Sequence, residues 1–308
     1  RIALVGEIAK HSTHTQPVTG IAVIPGSNPL TILSVSQDRT LTVWEPSGGA
    51  EPRFVSLPYA ARSLAVSPDG TEVATAGGNR FPPAELIIHR WDPQRLVFQH
   101  ESFEGHSRMI NALKYSPDGQ TLASAGADGV FLWSLNSTEP QLPDSAECDG
   151  VLALAYSSDG TQLLAGGVDG SIWFGNIAAG RQMKRVSGSS AAVRAAARLT
   201  GGFVTAGDDA VIRIWNTNAE PTREFKGGDQ AILSLTVSPD ERQLLTGTSD
   251  GAIDVWDVET GVRSCTLRGH VGAVNGLACV DSGRQAVSGG ADNTVRLWQL
   301  PFPGAGEN

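Results

Sequence analysis

The stretch GADNTVRLW, residues 290–298, decides the fold, because its pattern returns along the whole chain. SQDRTLTVW ends at Trp44, GDDAVIRIW at Trp215 and TSDGAIDVW at Trp256. In all four an Asp stands six residues before the Trp: Asp38, Asp209, Asp250 and Asp292. GADGVFLW carries Asp128 five residues before Trp133, and in GVDGSIWFG the count of six from Asp169 lands on Gly175, so Trp173 is displaced by two onto the same face of its strand. The remaining tryptophan is Trp91. The seven are separated by 47, 42, 40, 42, 41 and 42 residues. A fixed period of this length overrides any local reading and marks one structural unit repeated seven times.

A second marker lies upstream in most units. AVSPDGT (65–71), YSPDGQT (115–121), YSSDGTQ (156–162) and VSPDERQ (237–243) place a tight turn between two apolar runs. Pro fits the second turn position, and Asp and Gly the positions after it. The runs themselves, such as LALAY, TQLLAGG, SIWFG and RQMKRVS within residues 152–187, are short and bounded by Gly, Asp and Pro, which is strand chemistry. Four strands in a unit of about 42 residues make a propeller blade. The expected fold is therefore all-β: a seven-bladed β-propeller of four-stranded antiparallel blades, occupying residues 1–308 as one domain.

Inner strands are expected near residues 17–23, 59–66, 109–115, 150–156, 192–198, 230–237 and 272–279. The last unit lacks a fourth strand, since only QLPFPGAGEN follows Trp298, and residues 301–308 read as a tail. Residues 2–8 precede the first unit and have no blade of their own. They are expected to complete the blade of Trp298, closing the ring and covering an open sheet edge.

With these units in register, the chain resembles the WD-repeat β-propeller family over essentially its whole length. The family's dipeptide stands literally as Trp91-Asp92 and Trp256-Asp257, and its Gly-His marker as Gly105-His106 and Gly269-His270. His14 fills the same slot without the Gly. The resemblance implies a buried hydrogen-bond chain in three blades: His14, Ser34, Asp38 and Trp44; His106, Ser124, Asp128 and Trp133; His270, Ser288, Asp292 and Trp298. Each set imitates a hydrolase triad, but a catalytic triad occurs once, and three copies at the repeat period indicate a structural role. Thr205 and Thr246 keep the hydroxyl without the His. The fourth unit has Ala165, Gly175 and Glu147 at the three slots, and the second keeps Thr75 and Trp91 but lacks the Asp. The second and fourth blades are accordingly expected to be the least rigid.

Other chemistry is not in view. GxxxxGK[ST] and HExxH are absent, and Cys148, Cys265 and Cys279 form no CxxC pair, so neither a metal site, a cofactor nor catalysis is expected. Asn136-Ser137-Thr138 is a formal glycosylation triplet. The formal charge is −9 and the pI near 5.1, which disfavours nucleic acid and anionic membranes as partners. A start at Arg1 without a signal-like leader suggests a piece of a longer protein, monomeric as an isolated domain. Scarce Lys and abundant Ala, Gly and Arg suggest a GC-rich bacterial source. The cytoplasm is the favoured compartment, with an extracytoplasmic one left open.

The resemblance also implies that one face of the disc receives a protein or peptide. Carried over position by position, that face holds Arg62, Met109, Asn111, Leu152, Arg194, Asp208 and Leu233, with Arg108 beside Met109. The insertion NRFPPAE (79–85) adds Arg80 and Phe81. Apolar anchors with Arg nearby are what interface hot spots favour. The competing expectation is a sensor or enzyme propeller with a small molecule in its central channel. In the inner-strand segments AVIPG, SLAVS, NALKY, LALAY, RAAAR, SLTVS and GLACV, however, the charged residues are only Lys114, Arg194 and Arg198.

Overall fold

The computed structural model describes residues 5–49, 51–78, 86–91, 98–135, 140–141, 148, 150–177, 183–280 and 283–301. Among them are 28 strands and no helix, arranged as seven four-stranded antiparallel sheets. Six sheets take four consecutive strands each. The seventh takes its inner three from Val274–Cys279, Gln285–Gly290 and Val295–Gln299, and its outer strand from Gly6–His11 at the other end of the chain. The ring is thus closed by the N-terminal strand, as the sequence suggests, but that strand lies further along than residues 2–8. It pairs Gly6 with Gln299 and His11 with Val295, with a bulge at Ile8.

The inner strands are Val18–Val23, Ala61–Val66, Ile110–Tyr115, Val151–Tyr156, Val193–Leu199, Ile232–Val237 and Val274–Cys279. Each carries a bulge after its first residue. The bulge presses one backbone against the next strand, which explains a recurrent glycine there. A Cβ on Gly77, Gly126 or Gly207 would sit 2.2, 2.4 or 1.9 Å from the carbonyl of Ala60, Met109 or Ala192.

The core is divided into seven clusters, one in each seam between neighbouring blades. A single blade buries nothing by itself, so the ring is stable only when stacked. Side chains near the starts of the inner strands fasten the seams. Thr19 donates to the Ala61 carbonyl at 2.7 Å, Asn111 to Val151 at 3.0 Å and Ser234 to Val274 at 2.8 Å. Asn275 donates to Val18 at 2.9 Å, bridging the last blade to the first.

Candidate functional site: the buried relays and the face around the channel

In the last blade the Trp298 indole N–H donates to Ser288 Oγ at 2.7 Å, Ser288 lies 2.6 Å from His270 Nε2, and His270 Nδ1 lies 2.9 Å from Asp292. The third blade repeats this: Trp133 to Ser124 at 2.7 Å, Ser124 to His106 at 2.7 Å, His106 to Asp128 at 2.6 Å. Burial pushes the pKa of His270 and of His106 down, against the opposing pull of their carboxylates. A neutral imidazole then fixes every proton: Trp N–H to Ser oxygen, Ser O–H to His Nε2, His Nδ1–H to carboxylate. Burial alone would raise the Asp292 carboxyl. Hydrogen bonds from the Val271 amide, His270 and Thr294 instead hold it down at about 2. The seryl oxygens of both relays are sealed in the core, with Ser124 and Ser288 at 0% exposure, so no substrate carbonyl reaches them.

The first blade departs from this pattern. His14 reaches Ser34 at 2.8 Å, and Asp38 and Thr40 at 3.2 and 2.9 Å, but the Trp44 indole makes no hydrogen bond to Ser34. Trp44 instead meets the ring of His11 edge-on at 4.7 Å. His11 belongs to the closing strand and its buried Nε2 has no partner. Burial, and secondarily the charge of His14, lower its pKa to about 4. The closing strand also supplies Glu7 to Arg296, which contacts Asp292 at 3.3 Å. Ring closure and the last blade's relay therefore share one ion-pair cluster.

The blades lacking His are not simply degraded. In the fifth, Ser189 stands in the slot of His270, four residues before the inner strand, and donates to Asp209 at 2.7 Å; Arg213, the counterpart of Arg296, contacts Asp209 at 2.7 Å and Glu224 at 2.9 Å, and Trp215 still donates to Thr205 at 2.9 Å. In the sixth, Trp256 donates to Thr246 at 2.9 Å. The second blade corrects the sequence assignment. Thr75 pairs with Ile87, so the slot two residues on, where Trp298 stands in the last blade, holds His89 and not Trp91. Thr75 Oγ1 is 2.9 Å from His89 Nε2 and 2.8 Å from the Tyr59 hydroxyl, giving a relay of different composition. The fourth blade has no hydroxyl at Ala165, and Trp173 packs there instead, opposite Ala165 in register. The Trp91 side chain, Glu147 and the Asn136 triplet lie outside the described residues.

The opening at the starts of the inner strands gathers most of the positions carried over from the family. Arg62 is exposed and makes neither hydrogen bond nor ion pair. Leu152 and Leu233 are half-buried and line the channel with it. Met109 is half-buried, and Arg108 is exposed with its backbone N–H on Asp128. Arg194 is clamped by Asp208 through two hydrogen bonds, 2.7 and 2.8 Å. Asn111 lines the channel as well, and its amide donates to Val151 across the seam. Arg80 and Phe81 fall outside the described residues. No His, Cys, Asp or Glu cluster suited to a metal ion occurs among the described residues, and no helix is long and apolar enough to cross a membrane.

This ring of four-stranded blades, with its repeated buried relays, defines a WD-repeat propeller. The chain belongs to the WD domain, G-beta repeat family, which matches residues 6–45, 98–133, 142–174, 219–257 and 261–299. It is 30% identical to WD repeat-containing protein 1 of Xenopus tropicalis over 75% of this chain and 42% of that protein. It is 28% identical to actin-interacting protein 1 of Drosophila melanogaster over 90% of this chain and 48% of that one. With the guanine nucleotide-binding protein subunit beta of Arabidopsis thaliana it shares 24% identity over 92% of this chain and 69% of that subunit. The chain spans less than half the length of the first two. All three relatives are eukaryotic, so the bacterial source suggested by composition finds no support in them.

Proposed function

We propose that the chain is a non-catalytic protein- or peptide-binding scaffold, one module of a longer polypeptide, whose partner sits over the opening at the starts of the inner strands. The observation that carries this reading is the unpaired, exposed Arg62 lining one channel mouth together with half-buried Leu152 and Leu233 from the fourth and sixth blades. Apolar anchors ringed by a guanidinium are the composition of a binding hot spot. Arg194 is pre-oriented by Asp208 and Arg108 stands on the same face, so an acidic segment with an apolar residue is the fitting partner. A relative named for interaction with a protein, actin-interacting protein 1 of Drosophila melanogaster, supports a scaffold in general terms; its own partner is not transferred to this chain. The sealed seryl oxygens favour binding over hydrolysis. A peptide array sorted by charge tests the reading: acidic–apolar peptides should be retained and Arg62→Glu should release them. Equal retention of basic peptides, or indifference to Arg62→Glu, would refute it.

A further inference from the structure

The central channel differs in charge from the protein around it. The whole chain is acidic, at −9. Yet among the described residues none that lines the channel, a space of about 160 Å³, is Asp or Glu. Arg62, Lys114 and Arg194 line it, and Arg198 stands close enough to Lys114 to repel it. One of these four cations, Arg194, is held by Asp208 at the rim. The other three, Arg62, Lys114 and Arg198, have neither ion pair nor hydrogen bond. Structural cations are ordinarily paired, and like charges facing each other in a confined space cost stability. Lys114 keeps a wet surface although protein surrounds it on every side, and that enclosure, with the charge of Arg198, lowers its pKa.

The three free cations are staggered along the axis. Arg62 is the second residue of its inner strand, Lys114 the fifth and Arg198 the sixth. At a rise of about 3.3 Å per residue, that separates the Arg62 level from Lys114 by roughly 10 Å. The space is comparable to that of about ten waters. We propose that the channel is a binding site for a small, elongated phosphate polyanion lying along the axis, with the Arg62 guanidinium at one end and Lys114 and Arg198 at the other. Guanidinium forks match phosphate oxygens, and the low-dielectric walls strengthen each contact. The site shares Arg62 with the proposed partner surface and reaches deeper to Lys114, so Lys114→Met, outside that surface, separates the two readings, and the propeller alone suffices for the test.

Inorganic tripolyphosphate is the probe, titrated by calorimetry and by thermal melting at about 0.15 M salt. There the Debye length of roughly 8 Å screens the outer acidic surface but not the channel. The expected result is saturable binding of one ion per chain with a raised Tm. Lys114→Met and Arg62→Met should each weaken it about tenfold or more. Lys184→Met, on an exposed outer strand, should leave it unchanged. Lys114→Met should also raise the Tm of the ligand-free protein by removing a repulsion, which a merely structural lysine would not do. Absence of saturable binding, or binding undiminished in both channel variants, would overturn the proposal; should one channel variant fail to fold, the other decides.

Discussion

Ser288→Ala and Ser34→Ala make the same chemical change in two blades and should not cost the same. Ser288 Oγ, wholly buried, serves two partners: the Trp298 N–H at 2.7 Å and His270 Nε2 at 2.6 Å. Ser34 serves His14 but not Trp44. A buried polar group left unsatisfied costs about 1–3 kcal/mol, so two orphans in the last blade cost about 4 kcal/mol and one in the first about 2. At about 2 °C per kcal/mol for a chain of this size, the Tm should fall by about 8 °C and 4 °C respectively. Thermal melting of wild type and both variants measures this directly, with Thr205→Ala as a second single-orphan case because it serves Trp215. Equal losses from all three substitutions would show that the hydroxyls act through packing and would refute the relay account.

Acidification should weaken the ring in two stages. His11, His14, His106 and His270 are held below their ordinary pKa. The unfolded chain therefore binds the extra protons, and stability present above about pH 6.5 declines as pH falls towards 4, the value for His11. Asp292, held at about 2, loses its contribution only below the ordinary carboxylate range. His11→Phe should flatten part of the first stage in pH-dependent melting, and an unchanged slope would count against a role for that ring. Deleting residues 1–11 removes the outer strand, Glu7 and His11 together, so the Tm should drop and the bared edge should promote self-association, read by light scattering. Amide hydrogen exchange should be fastest in the fourth blade, which lacks the hydroxyl link, and slower in the second, which the Tyr59–Thr75–His89 relay supports; the reverse order would refute that distinction.

The architecture was legible because its signals are repeated. Seven tryptophans at one period, and a turn sequence recurring in register, average out local ambiguity. The missing strand after Trp298 told where the ring closes, although counting alone placed the closing strand too early. What escaped was side-chain partnership. A shift of two residues keeps a strand residue on the same face, so Trp91 and His89 were equally compatible with the pattern, and only the register of Thr75 with Ile87 separates them. Trp44 matches the repeat letter for letter, yet His11, from the far end of the ring's seam, claims its ring. Ser189 stands in for a histidine, and Arg213, from a different strand, adds a second hold on Asp209 that no count along one element reveals. Position along the strand could not reveal that the Asn111 amide reaches the next blade. The three cations of the channel come from separate blades, and their lack of partners emerged only once the ring was assembled.

The central claim is that the face at the starts of the inner strands binds a protein. Its most direct test is affinity capture from the native host's lysate with the wild-type propeller and an Arg62→Glu, Leu233→Glu variant of matched Tm. A protein retained by the wild type and lost by the variant, and cross-linked to the Arg62 face, is the predicted result. A specific partner retained equally by both forms would place binding elsewhere on the ring and contradict the account.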